Sequence, residues 1–236
     1  MPDAAGAALG SGPPGAGPAQ DDGALPGIDR LLALSDGVVA IALTLLVLQL
    51  HVPAADVVSD PGSASQLANA LGHEGDQLIS YGISFYVIAQ FWLGHHRTFR
   101  QMSGHHEGLA WFNFAFLLTI TLVPFTSGLL GQYASNPLAV DIFALNLMLA
   151  SLASTATMVY ATRANLLVAD ADAAAIRAGQ IRARAVGSAF AVSLAVAWVS
   201  TTAAAYCWSL TVILPIVARR LWPTDPTKGA PRYLSG

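Results

Sequence analysis

The chain has 236 residues, of which 54% are hydrophobic and only 11% charged, with a mean hydropathy of +0.54. Soluble domains carry about 25% charged residues, so this composition excludes a soluble globular protein and implies an integral membrane protein of several spans. A formal net charge of −3 implies no polyanionic partner such as nucleic acid, and the single cysteine, Cys207, excludes an intrachain disulfide.

Residues 1–27 are mostly Gly, Ala and Pro, with Asp3, Asp21 and Asp22 and no basic residue. A secretory signal needs a basic start and an apolar core, and both are missing. This stretch is expected to be a disordered leader. Residues 28–222 are expected to form the membrane domain, and 223–236 a short polar cytoplasmic tail.

Six apolar spans follow the leader, near 30–50, 76–99, 108–132, 138–162, 183–200 and 203–218. The first four have comfortable membrane-crossing lengths. The last two are short and separated only by Ser200, Thr201 and Thr202, so a bent pair or one broken helix is the alternative. Charge favours two spans. Arg30 precedes span one; Arg97 and Arg100 follow span two; Arg163, Arg177, Arg182 and Arg184 lie between spans four and five; Arg219, Arg220, Lys228 and Arg232 follow span six. All eleven basic residues thus fall on one side, and the opposite connections, 51–75 and 133–137, have no Lys or Arg. The positive-inside rule then places both termini in the cytoplasm of a multi-pass protein of the cell membrane. The acidic, alanine-rich stretch Asp170 to Ala178 is expected to be a separate solvated helix on that side.

Span one carries most of the information. From Gly37 to Leu48 nothing is charged, and Thr44 is the only polar side chain. Val38, Ile41, Leu45 and Leu48 recur at spacings of three and four, so they share a helix face with Thr44 on its flank. Periodicity alone assigns such a stripe to lipid contact or packing. Asp36, five residues before Ile41, lies about 140° away around the helix. An acid near the end of a span must be paired or reach water.

Three stretches resemble one known family. The first is Arg30-x-x-x-Leu34-Ser35-Asp36, followed by Val38, Ala40, Ile41, Thr44 and Leu45-Leu46-Val47. The second is Ser84-Phe85, then Phe91-Trp92-x-x-His95-His96-Arg97 with Phe99; the third is Asn113, Leu117, Leu118 and Pro124-Phe125. Together they resemble the endolysosomal potassium channel family called transmembrane protein 175, with Leu34 where the family pattern has Phe. The resemblance implies an all-α membrane protein with one six-helix repeat per chain, assembled as a homotetramer whose first helices line the ion path. It implies that Ile41 forms the narrowest ring, that Leu45 and Leu48 continue it, and that Thr44 supplies a hydroxyl layer. No Thr-Val-Gly-Tyr-Gly filter is present. The implied activity is a passive, potassium-permeable channel that also admits other monovalent cations, with the permeating ion in place of a cofactor.

Arg30, Ser35, Asp36, Trp92, His95, His96 and Asn113 are expected to form a structural polar network fixing the pore helix against spans two and three, since their donors and acceptors can satisfy one another. His95-His96 and His105-His106 do not make a metal site, because adjacent helical residues diverge by about 100° and no cysteine or carboxylate cluster joins them. No catalytic motif is visible, so an enzyme is not expected. The alternative class is a secondary transporter of a small cation or other solute. Transporters commonly place ionisable residues at mid-membrane or use broken helices in two repeats, and neither feature is found here.

Overall fold

The computed structural model describes residues 27–53, 59–60, 62–103 and 106–208. The expected tail 223–236, and all but Gly27 of the expected leader, lie outside them. The fold is all-helical, with α1 (Ile28–Val47), α2 (Ala64–His73), α3 (Gly75–Phe99), α4 (Glu107–Gln132), α5 (Pro137–Arg163) and α6 (Ala173–Val196). Residues 201–208 are also helical. Among the described residues α1, α4 and α5 are long and apolar enough to cross a membrane.

Helix ends follow local chemistry. Asn136 accepts from Leu138 N at 2.9 Å, ahead of Pro137 in the first turn of α5. That helix ends on Asn165 at φ 54, with Leu166 N donating to Ala161 O at 2.9 Å and Asn165 N to Thr162 O at 3.4 Å. This pair of bonds is the Schellman closure, for which asparagine tolerates the left-handed conformation. Asp172 caps α6 by accepting from Ala174 N and Ala175 N at 2.8 and 3.1 Å.

α4 is the hub. It packs against α1, α3 and α5, while α6 lies mainly on α5. The main core joins Leu46, Ile88, Phe116, Ile120, Phe143 and Leu147, with Phe190 and Trp208 closing it from the C-terminal side. A second cluster of Leu31, Phe99, Met102, Leu109 and Ala161 holds the end where Arg30, Arg97, Arg100 and Arg163 reside. There the α3–α4 and α5–α6 connections pair: Ser103 N donates to Leu166 O and Val168 N to Gln101 O, both at 2.9 Å.

Two expectations change. Asp170 to Ala178 is not a separate helix: from Ala173 it forms the first turns of α6, which runs unbroken to Val196 and takes up most of span five. At about 1.5 Å per residue this helix is about 36 Å long, and most of its first two turns are exposed. The second is α2, an amphipathic helix that falls in the 51–75 connection. At ten residues it is too short to cross a bilayer, so hydropathy over a membrane-length stretch does not reveal it. The sixth expected span, 203–218, overlaps the helical residues 201–208, and 209–218 lie outside the described residues.

Phe143 is fully buried, with its ring centroid 5.2 Å from that of Trp208. Phe143→Ala should lower the thermal stability of the detergent-purified protein by about 3–5 kcal/mol. Leu145→Ala, at a position 44% exposed, should change it much less. Equal shifts in melting temperature would show that this junction is not a packed core.

Candidate functional site: the first helix and its anchor

α1 is held by one face only. Leu31, Ser35, Val39, Ala42 and Leu46 are buried at spacings of three and four, and they meet α3 and α4. Ile28, Leu32 and Leu43 are partly buried beside that face, and the opposite side of the helix is uncovered in the single chain. Ile41 is 60% exposed and Leu48 71%, and Leu34, Thr44 and Leu45 are exposed with them. Val38, at the stripe's edge, turns partly into the core. Thr44 Oγ1 donates to Ile41 O at 2.8 Å, which commits its proton to the backbone and leaves its lone pairs facing outward.

The structure divides the expected polar network in two. The inner part crosses three helices. Asn113 of α4 accepts from His95 Nε2 of α3 at 2.7 Å, and its Nδ2 donates to Ser35 Oγ of α1 at 3.1 Å. Ser35 Oγ in turn donates to Leu31 O at 2.7 Å. One hydroxyl proton serves one short bond, so these distances define a direction: His95 to Asn113 to Ser35 to the Leu31 carbonyl. That direction requires the proton of His95 on Nε2. All three side chains are buried, and the His95 ring is stacked between Phe99 at 4.3 Å and Phe116 at 4.9 Å.

The outer part is Asp36 with Trp92. Trp92 Nε1 donates to Asp36 Oδ1 at 2.7 Å, and the carboxylate stays exposed in the single chain. Ser35 and Asp36 diverge because adjacent helical residues point about 100° apart. His96 joins neither part. Its ring lies 5.7 Å from that of Trp92, and its buried Nδ1 has no partner among the described residues. Arg30 is exposed in the first turn of α1, away from both groups.

Further contacts brace this site without a motif to announce them. Ser84 Oγ donates to Ser127 Oγ and Ser80 Oγ to Ser127 O, both at 2.7 Å, joining α3 to α4. Gly128 leaves room for the side-chain amide of Gln49, just past the end of α1, which an added Cβ would push aside. Asn146 Nδ2 donates from α5 to Thr119 O at 3.1 Å. Small polar residues at helix contacts were the available signal for all of these.

This arrangement has relatives. The family model for the endosomal/lysosomal potassium channel TMEM175 matches residues 30–124, which contain both parts of the polar site and the exposed stripe. A potassium channel of Streptomyces collinus is 33% identical over 176 residues, covering 72% of this chain and 82% of the relative. The chain belongs to the TMEM175 family. That is a family of ion channels, so the protein is a membrane protein and not an enzyme. A potassium channel of Chamaesiphon minutus is 36% identical over 110 residues, 47% of this chain and 52% of that one. The crystal structure of a lysosomal potassium-selective channel TMEM175 homologue from Chamaesiphon minutus shares the fold at a TM-score of 0.70, with 24% identity over 81% of this chain and 97% of that one.

The inner chain of bonds gives a mutational contrast. Asn113→Ala strands His95 Nε2 and removes a donor from Ser35, at a cost of about 1–3 kcal/mol for each buried group left unpaired. Thermal unfolding should show a large loss for Asn113→Ala and a smaller one for Trp92→Phe, which breaks only the exposed Asp36 bond. The reverse order would mean that the outer pair is the anchor.

Proposed function

We propose that the protein is a passive, potassium-permeable cation channel in which four copies place α1 around the ion path. The observation that carries this reading is the uncovered apolar face of Ile41, Leu45 and Leu48, with no charge from Gly37 to Leu48. A face of this kind suits a closed ring, because a narrow apolar passage loses its water and excludes hydrated ions, and widening restores conduction. Thr44, with its donor engaged and its lone pairs outward, suits a layer of oxygen contacts for a partly dehydrated cation beside that ring. The names of the Streptomyces and Chamaesiphon relatives support potassium as the ion. Residence in the cell membrane with both termini cytoplasmic agrees with Arg30, Arg97, Arg100 and Arg163 gathering at one end of the bundle.

Purified protein in a planar bilayer should give single-channel steps; smooth, saturable flux without steps would mean a carrier. Ile41→Asn makes the ring wettable and should raise conductance several-fold while weakening potassium-over-sodium discrimination. Thr44→Ala should alter discrimination with less effect on closure. Wild-type flux and selectivity in Ile41→Asn would remove Ile41 from the path.

Orientation is open to a separate test. In a Cys207→Ser background, a cysteine replacing the exposed Ser65 of α2 should react with an impermeant thiol reagent applied to intact cells. Reaction only after permeabilisation would invert the topology.

A further inference from the structure

The contacts that join α4, α5 and α6 fix the depth of each residue along the bundle. Ser151 Oγ of α5 donates to Ala183 O of α6 at 2.6 Å and also lies against Gly187. Nearer the other end Trp198 Nε1 donates to Asp141 Oδ2 at 2.7 Å. Interpolation along these antiparallel helices puts Arg184 level with Ala153. Tyr160 packs on Gly108, and Asn146 reaches Thr119 O, so Ala153 is in turn level with Asn113 of α4. Arg184 thus shares a layer with Ser35, His95 and Asn113, and among the described residues it is the basic side chain set farthest from the basic end. It is exposed. Arg182, about 200° away around the helix, lines the cavity toward α3, so Arg184 lies on the opposite side, with exposed Ile181 and Ser188.

Helix length shows what this layer does. α4 and α5, of 26 and 27 residues, are about 39 and 40 Å long, some 10 Å more than a hydrocarbon core. An ordinary tilt of about 20° absorbs only about 2 Å of the excess, so the bundle overhangs the bilayer. From Asn113 to Gln132 is about 29 Å, a full hydrocarbon core by itself. Exposed Leu118, Phe125, Leu145, Leu149 and Val192 all lie in that section. Below it, Trp111 and Ile181 are the large apolar side chains that α4, α5 and α6 expose. Trp111 is 68% exposed beside the layer and Tyr133 53% exposed at the far end of the same helix. They are about 33 Å apart, which matches the two aromatic belts of a membrane protein. Thr98, Gln101, Ser154, Thr155 and Gln180, below the layer, line the cavity between α3, α5 and α6 with groups that suit water.

We propose that Arg184 and Trp111 sit at the lipid phosphates and glycerols of the leaflet on the basic side, so that the bilayer ends at this layer. The bundle below it then stands about 15 Å into water, the length of α5 from Ala153 to Arg163. An exposed guanidinium inside hydrocarbon is costly, whereas at the boundary it meets phosphate with paired donors. The overhang then falls wholly at the end that holds the arginines, and the apolar length that remains is one core thick.

Spin labelling of the full-length protein in phosphatidylcholine vesicles reads this depth without reference to ion conduction. In a Cys207→Ser background, Ala178→Cys, Ile181→Cys and Val192→Cys each carry a nitroxide at an exposed position. Oxygen relaxes a label in hydrocarbon, and a water-soluble nickel chelate relaxes one in water. Oxygen should dominate at 192, about 12 Å above Arg184, and nickel at 178, about 9 Å below it. Arg184→Leu should slide the boundary by about one turn, ~5 Å, and bring the label at 181 into the oxygen-dominated range; Arg184→Lys should leave that label unchanged. With Arg184 intact, oxygen dominance at 178 or nickel dominance at 192 would overturn the proposal. So would little access of either reagent to 192, since another copy of the chain would then cover this face. An unmoved label at 181 in Arg184→Leu would remove Arg184 from the phosphate layer.

Discussion

The rotation of α1 about its own axis is the constraint on which the site depends. Only one line of residues attaches this helix to α3 and α4, and four of the five along it, Leu31, Val39, Ala42 and Leu46, are apolar. Apolar contact is forgiving: in a membrane, sliding leucines past one another changes little, since lipid is as apolar as the core. Ser35 supplies the directionality that packing lacks. Its hydroxyl accepts from Asn113 and donates to Leu31 O, and Asn113 is itself oriented by His95. Turning α1 by one residue, about 100°, would bury Leu34 or Asp36 against Asn113 and break the chain of bonds. The position of Ile41 on the uncovered face follows from Ser35.

The rest of the bundle is a frame that resists such rotation. Hydroxyls that cannot reach water in a bilayer must find partners within the protein. Thr119, Thr126 and Thr157 return theirs to carbonyls of their own helices, whereas Ser80, Ser84 and Ser127 bond across the α3–α4 contact. Proline at 124 deprives the Ile120 carbonyl of its amide partner, and Asn146 reaches from α5 to the neighbouring Thr119 carbonyl, so α4 is braced near its own interruption. Polar fixation is thus concentrated on α3, α4 and α5. The outward face of α1 receives none.

Much of this frame was legible in the sequence, because hydropathy and charge are sums over many residues. The spans expected at 76–99, 108–132 and 138–162 differ from α3, α4 and α5 by one residue at most ends. The expected span five starts late because Arg177 and Arg182 lower the local hydropathy, although both sit on the same helix as Phe190 and Ser193. α2 leaves no membrane-length signal, because ten residues with Gln66, Asn69 and His73 on one side present too short an apolar stretch. At the site, the motif residues were visible as a set but their grouping was not. Hydrogen-bond capacity says that Asp36, Trp92, His95 and Asn113 can pair in several ways, and only the placement of three helices selects among them. The serine contacts of α3 and α4 carried no motif at all.

The division of Ser35 from Asp36 bears on how the proposed path would work. Ser35 is drawn inward to Asn113, so the next side chain must leave along the seam between α1 and α3, where the Trp92 indole meets it. That seam lies about 140° from Ile41 around the helix. The carboxylate is therefore held off the face that carries Ile41, Leu45 and Leu48, and no other fixed charge lies between Gly37 and Leu48. A cation passing a ring of these side chains would meet no compensating anion there, only the cost of shedding water and the outward lone pairs of Thr44. Discrimination in such a path rests on how cheaply an ion dehydrates, which favours the larger and less tightly hydrated of two monovalent cations. An acid on the Ile41 face would replace that criterion with simple attraction, and the tryptophan bond keeps Asp36 from playing that part.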